Sequence, residues 1–390
     1  MKADIILHEL EMLDWECVNE DTRYLTHNYH PYSSKYIPQI PRYLVTHLLE
    51  KGGTVLDCFV GSGTTLVECK LLARNAIGID MNPLGCLLTK VKTTPIQPSL
   101  LNERSQELLR RIESDILLLR GNPTLFPLVQ VEDRLEQQGM RGISPVFLEH
   151  IRYWFQPHVI AELTAIKNHI DKVKDQDLRD FFTIAFSSIL RTVSNAAPGF
   201  GNLMISNKPL ARKQGFEKFR FKLVSMVSTM EDFYFKAEPN AQIQVRVADA
   251  RNMNFLLSES MDMICTHPPY MASVPYAEYQ KLSLWWLGFD PSELDAKLIG
   301  GQRSRSDTAE RYIQNMQLAF SEMYRVLKIG KFCCVVIGNP LYRGKIWPLN
   351  KILADIGQET GFSFLKEIIR GKYKMTMGKM KNEYILIFKK

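Results

Sequence analysis

A chain of 390 residues with 45% apolar and 23% charged side chains can bury a sizeable core and has the composition of an ordinary globular protein. No apolar run approaches the roughly 20 residues that span a bilayer, and the start, with His8, Glu9, Glu11 and Asp14, lacks a signal-peptide pattern, so a cytoplasmic protein is expected. The net charge of +7 permits a nucleic acid partner without demanding one.

In chain order, the first predicted strand is Thr54-Val55-Leu56. It runs into Asp57-Cys58-Phe59-Val60-Gly61-Ser62-Gly63-Thr64-Thr65, where Gly61 and Gly63 fall at the turn from strand to helix and let a ligand approach the backbone. The helix predicted over Thr64 to Leu72 presents its amino terminus there, which favours a carboxylate. A second strand, Ala76 to Ile79, delivers Asp80, an acid suited to the two hydroxyls of a ribose, before Asn82 and Pro83 break it. A nicotinamide dinucleotide needs a third glycine where Leu66 stands, so S-adenosylmethionine, which carries no pyrophosphate, fits better.

From about 93 to 240 the strand pattern stops, and Leu101 to Leu119, Pro145 to Tyr153, Val159 to Val173 and Leu178 to Val193 show helical spacing. Three parts result: 1–92 with the glycine loop, a helical insertion over 93–240, and 241–390. Within the insertion, Lys208, Arg212, Lys213, Lys218, Arg220 and Lys222 face one acid, Glu217, with Phe216, Phe219 and Phe221 between them, a run that could follow a phosphate backbone. The aromatic run Tyr153-Trp154-Phe155 reads as core.

The last part returns to strands. Ile243 to Val247 ends at Asp249, an acid able to accept from an adenine amino group. Met261 to Cys265 carries Thr266-His267-Pro268-Pro269-Tyr270, whose prolines stiffen the backbone and remove two amide donors while their carbonyls still accept. Tyr270 can stack on a base taken out of the duplex. Trp285 and Trp286 read as packing, Arg303 and Arg305 sit in a polar loop that could meet phosphates, and strands at Lys331 to Ile337 and Ile385 to Phe388 complete a doubly wound α/β sheet. Seven cysteines without a Cys-x-x-Cys pair read as reduced structural thiols. His27 and His30 have a metal-binding spacing, but nothing completes a site, so no metal is expected.

The paired stretches 57–65 and 266–270 resemble those of the S-adenosylmethionine-dependent amino-methyltransferases of DNA, and His30-Pro31-Tyr32 with Lys35-Tyr36-Ile37-Pro38 looks like that family's element before the cofactor loop. Cys58 stands where the family usually has proline, and His267 where it usually has Asp, Asn or Ser. The resemblance implies a Rossmann-like methyltransferase sheet, S-adenosylmethionine as cofactor, and Tyr36, Asp57, Phe59, Gly61, Ser62, Gly63, Thr64, Thr65, Asp80, Asn82 and Asp249 around it. It further implies His267, Pro268, Pro269 and Tyr270 at the reacting base, target recognition by the insertion, double-stranded DNA as substrate and a cognate restriction endonuclease as partner.

An exocyclic amine is a weak nucleophile because its lone pair is spread into the ring, so His267, by accepting a hydrogen bond or a proton, and the Pro268 carbonyl would aim it. The Thr-x-Pro-Pro-Tyr setting favours cytosine N4 over adenine N6. The alternatives are an RNA base methyltransferase, carbon-5 cytosine methylation, disfavoured because Tyr270 occupies the place of the attacking cysteine, and an inactive nucleic-acid-binding relative.

Overall fold

A computed structural model of the protein describes residues 2–121, 145–197, 203–205, 212–271, 275–301, 305–371 and 382–390. Its strands are β1 (Thr54–Asp57), β2 (Asn75–Asp80), β3 (Ile243–Val247), β4 (Met261–Thr266), β5 (Leu327–Gly338), β6 (Leu341–Tyr342), β7 (Lys345–Ile346), β8 (Ser363–Gly371) and β9 (Asn382–Lys389). Seven of them form one sheet in the order β3-β2-β1-β4-β5-β9-β8, while β6 and β7 make a small separate hairpin. The first five are parallel, whereas β9 runs antiparallel to both β5 and β8. Strands β1 and β4 are apolar with nearly every residue buried, as parallel strands covered on both faces must be.

The helices are α1 (Lys2–Glu11), α2 (Gln39–Leu48), α3 (Thr64–Leu71), α4 (Pro83–Thr93), α5 (Pro98–Gly121), α6 (Pro145–Trp154), α7 (Pro157–Asp171), α8 (Gln176–Val193), α9 (Gly215–Lys236), α10 (Tyr276–Trp286), α11 (Pro291–Lys297), α12 (Thr308–Val326) and α13 (Leu349–Thr360). Local chemistry sets several starts. The Asn82 side chain accepts from the Leu84 N–H with Pro83 in the first turn of α4, and Asp175 caps α8 at Leu178. Helices α5 to α9 pack among themselves and, through Val67, Leu84, Leu88 and Val91, against α3 and α4.

Two elements depart from the sequence reading. The basic run entering α9 is helical from Gly215, so Phe216 and Phe219 turn into the core while Phe221 is 79% exposed, and the aromatic residues do not form one interleaved face. Strand β8 was not anticipated because a bulge between Phe364 and Lys366 breaks its alternation. Trp154, Phe155, Trp285 and Trp286 are buried, as expected of packing residues, whereas Tyr153 of the same run is 63% exposed because the helical turn of α6 points it away from the core, and all seven cysteines are free and buried. Among the described residues no helix is long and apolar enough to cross a membrane.

His27 and His30 do not converge on a common centre. His27 Nε2 meets Glu68 at 2.8 Å, and His30 Nε2 meets the Ser187 hydroxyl at 2.9 Å. Glu68, fully buried on α3, also accepts from the Tyr24 hydroxyl at 2.6 Å and Arg42 Nε at 2.7 Å, which ties the segment before α2 to α3. Burial lowers both histidines to about 4, so below pH 6.5 the unfolded chain binds protons that the folded chain refuses. Stability is therefore expected to fall as pH drops from about 6.5 to about 4, by an upper limit on the order of 3 kcal/mol for each histidine. Asp57, raised to about 6 by burial, works in the opposite sense and returns part of that loss. A urea midpoint as high at pH 4.5 as at pH 7 would contradict this account.

Candidate active site

The sheet order reverses direction at β1, with β2 and β3 on one side and β4 and β5 on the other. In such sheets a ligand crevice opens at the carboxyl ends of the strands beside that reversal. A cleft continuous with solvent lies there. Its walls are the 58–64 loop after β1, Asp80 to Asn82 after β2, Ala248 to Ala250 after β3, and His267 and Pro269 after β4. Tyr32, Ser34, Lys35 and Tyr36 close it from the segment before α2.

Of the cofactor residues expected from sequence, Tyr36, Phe59, Gly61, Ser62, Thr64, Asp80, Asn82 and Asp249 line this cleft, whereas Asp57, Gly63 and Thr65 do not. Asp57 instead lies buried between the two loops. Its Oδ2 accepts from the Thr65 hydroxyl at 2.5 Å, and its Oδ1 accepts from the Thr266 hydroxyl at 2.6 Å and the Phe59 N–H at 3.2 Å. The Thr65 hydroxyl also hydrogen-bonds Tyr36. Asp57 thus clamps the end of β1 to the end of β4, and its role is to hold the two loops in register.

Gly63 acts through its backbone. Its φ of +79° is left-handed, and a Cβ there would come within 2.7 Å of the Thr89 side chain on α4. Gly63→Ala is expected to cost about 2 kcal/mol or more. Thr89→Ala in the same chain should recover part of that loss in thermal unfolding, and no recovery would mean that the close approach is not the cause.

Asp80 accepts the Gly61 N–H at 2.9 Å on one oxygen and the Asn82 N–H at 2.8 Å on the other, so it shapes both turns while facing the cleft. Asn82 adds a 2.6 Å bond from its amide to Gln280 on α10. Asp249 is paired with Arg251, whose Nη2 lies 2.7 Å from Oδ2, and Arg251 also reaches Asn315 and the Lys297 carbonyl. Arg251 belongs to the site region and was missed in sequence, because a lone arginine two residues from an acid carries no signal.

After β4, His267 faces the cleft, with its ring stacked on Tyr36 at 5.1 Å and 17°. Its Nε2 lies 2.8 Å from the Tyr270 hydroxyl, which in turn lies 3.0 Å from Glu383 on β9. Burial lowers the His267 imidazole, opposed by the negative charge of Glu383. Tyr270 is 4% exposed, packs in the core and is absent from the cleft wall. The aromatic residues that do line the cleft are Tyr32, Tyr36, Phe59 and Tyr276, and of these Tyr276, at the start of α10, has its hydroxyl 3.4 Å from the Tyr270 N–H. The Pro269 carbonyl accepts from the Tyr312 hydroxyl at 3.0 Å, which leaves the Pro268 carbonyl as the unengaged one of the pair among the described residues.

The expected phosphate contacts lie elsewhere. Lys208 and Arg303 fall outside the described residues. Arg212, Lys213, Lys218, Arg220 and Arg305 are described, and none lines the cleft. Arg220 pairs with Glu217 and Arg305 with Asp307, both at exposed positions. Among the described residues no cluster of three or more His, Cys, Asp or Glu side chains could hold a metal ion.

The DNA methylase family model N6_N4_Mtase matches residues 10–90, which include the segment before α2, the glycine loop and the Asp80 turn. The Type II methyltransferase M.MvaI of Kocuria varians is 30% identical over 317 residues, covering 74% of this chain and 64% of that one. The chain thus spans somewhat less than two thirds of that relative's length. The Type II methyltransferase M.MjaII of Methanocaldococcus jannaschii is 22% identical over 438 residues, covering 92% of this chain and 79% of that one. Solved methyltransferases superpose loosely. The rRNA methyltransferase aviRa of Streptomyces viridochromogenes matches 98% of this chain and 95% of that one at 12% identity with a TM-score of 0.36, so the strand order above, and not superposition, defines the fold.

Proposed function

The chain belongs to the N4/N6 amino-methyltransferase family of DNA methylases, and from that premise we propose that it methylates an exocyclic base amine in double-stranded DNA, cytosine N4 before adenine N6. The observation that carries the reading is the convergence of Asp80, Asp249 and His267 from three different strand ends on one cleft. S-adenosylmethionine, the cofactor of this family, would supply a methyl group made electrophilic by a sulfonium.

The residues present fit that cofactor. The Ser62 hydroxyl is buried, on the cleft wall and without a hydrogen-bond partner among the described residues, and it stands at the amino terminus of α3 where a carboxylate is favoured. Asp80 is placed for ribose hydroxyls. Asp249, fixed by Arg251, retains lone pairs for an adenine amine, since a carboxylate offers about four acceptor sites.

For the target amine, the His267 imidazole and the Pro268 carbonyl are the acceptors that would orient its lone pair, and the gain is one of positioning. Tyr270, as the family resemblance implies, or Tyr276 beside it on the cleft wall would stack on the target base. Carbon-5 chemistry is disfavoured by Cys265, which is wholly buried in β4 with its thiol pushed well above the ordinary range and so held protonated. Helices α5 to α9, with Arg212 and Lys218 exposed near the start of α9, are our choice for the target-recognition layer, and a cognate restriction endonuclease is the partner such an enzyme implies.

Nucleosides from DNA and RNA incubated with the protein and isotopically labelled cofactor, analysed by mass spectrometry, test the reading. Labelled N4-methylcytosine in DNA is expected. N6-methyladenine would correct the base, and label in RNA alone, or in neither, would overturn the assignment.

A further inference from the structure

The bond between His267 and Tyr270 is the inner end of a longer buried chain. Glu383 Oε1 meets the Tyr270 hydroxyl at 3.0 Å, Glu383 Oε2 accepts from Arg370 Nη1 at 2.5 Å, and Arg370 Nε donates to the Trp15 carbonyl at 2.8 Å. Arg370 is 5% exposed and His267 9%, so these bonds are shielded from water. They link the segment after α1, the paired strands β8 and β9, and the cleft. None of Glu383, Arg370 or Trp15 belongs to either motif that defines the family resemblance.

The direction of each hydrogen bond follows from its partners. Glu383 Oε2 accepts from Arg370 Nη1, and a carboxylate in an ion pair accepts on both oxygens, so the single proton of the Tyr270 hydroxyl points to Glu383 Oε1. The Tyr270 oxygen must then accept from the imidazole, which places a proton on His267 Nε2 and a lone pair on Nδ1. The other groups around the ring are the stacked Tyr36 and, on the cleft side, the backbone carbonyl of Ser34, a residue held at φ +56°. The Glu383 charge favours a protonated ring, while burial and Arg370 oppose it.

We propose that Glu383, acting through the Tyr270 hydroxyl, is a positioning residue that fixes His267 as the Nε2–H tautomer, so that Nδ1 accepts first a hydrogen bond and then a proton from the target amine. The proposal rests on the methyltransferase reading above and adds the destination of the proton. A nitrogen that has gained a methyl substituent carries a positive charge. Its N–H bond then breaks, the electron pair stays on nitrogen, and the Nδ1 lone pair takes the proton. A neutral methylamino base and an imidazolium result. The imidazolium donates from Nε2 to Tyr270, whose hydroxyl donates to Glu383, and from Nδ1 toward the Ser34 carbonyl, until the proton passes to solvent. A buried histidine at this position is thereby able to do what the shorter Asp, Asn or Ser cannot, because those side chains have no second nitrogen through which a remote carboxylate can act.

Nitrogen NMR of the full chain with isotopically labelled histidine, recorded without cofactor, reads the tautomer directly. The Nε2–H form is expected for His267 in the wild type and is expected to be lost in Tyr270→Phe. Glu383→Gln keeps an acceptor for Tyr270 but removes the charge. Its His267 titration midpoint should fall, kcat should drop about 10-fold or more, and KM for DNA should stay within about two-fold. The acid limb of its kcat profile should move to lower pH, because a ring that must start neutral then stays neutral further down. An Nδ1–H tautomer in the wild type, or a midpoint unmoved in both variants, would overturn the proposal. A purely structural Glu383 would lower thermal stability and cofactor affinity without touching the tautomer. Wild-type protein that shows the Nε2–H tautomer but methylates no DNA would sink the functional reading instead. DNA methylation with an unmoved midpoint would sink only the relay.

Discussion

Replacing His267 by alanine is expected to lower kcat for methyl transfer by about 100-fold or more while leaving cofactor affinity within about two-fold. The imidazole is a side chain at the end of β4 that faces the cleft, and the glycine loop and Asp80 are held by bonds that do not pass through it. The main structural loss is the stacked contact with Tyr36, whose hydroxyl remains fixed by Thr65 behind it. Single-turnover transfer of a labelled methyl group separates the two effects, with calorimetry of cofactor binding alongside. If the variant transferred methyl groups at the wild-type rate, neither the orientation of the amine nor the proton relay could belong to His267.

Asp80→Ala should act on the opposite side of the cleft. One carboxylate there does two things: it faces the position where ribose hydroxyls would lie, and it accepts the Gly61 and Asn82 N–H groups that shape the turns after β1 and β2. A lost charge-assisted hydrogen bond costs about 1.5 to 3 kcal/mol, which corresponds to a cofactor Kd raised about 10- to 100-fold. Leaving two backbone donors without acceptors lowers stability as well, by about 1 to 3 kcal/mol for each that stays buried. Asp80→Asn, which keeps one carbonyl acceptor, should fall between wild type and alanine in both measurements. Cofactor affinity unchanged in Asp80→Ala would remove Asp80 from the site.

Much of the cleft was legible because its makers are local. Strands β1 and β2 are short runs that end in Asp57 and Asp80, β3 and β4 are followed within two residues by Asp249 and Pro268, and residues at such carboxyl ends face the crevice of a parallel sheet. What sequence could not reveal depends on distant partners. Asp57 sits inside the glycine motif yet bonds Thr266 across 209 positions, so its role as a clamp appears only once β1 lies beside β4. The Tyr270 hydroxyl bonds Glu383, 113 positions away, a partner that the Pro-Pro-Tyr stretch does not reveal. Glu68 likewise looks like a helix-surface acid until Tyr24, His27 and Arg42 fold over it. In the run before and within α9 the helical repeat sends Phe216 and Phe219 to the core and leaves Phe221 exposed, a division that the charges alone do not reveal.

Strands β2 and β3 are paired from Ala76 with Ile243 to Asp80 with Val247, although the chain between them runs, among the described residues, through α4 and five further helices. The long excursion therefore departs from and rejoins the sheet at a single edge, and the ladder between β2 and β3 sets the spacing of its two ends regardless of what lies between. Lengthening such a loop costs little, about 0.6 kcal/mol for each doubling. If the excursion is the reader of DNA sequence, then reader and chemistry can have separate histories. A gene could trade one helical cassette for another and acquire a new target in one event, with every residue that holds the cofactor and the amine left as it was.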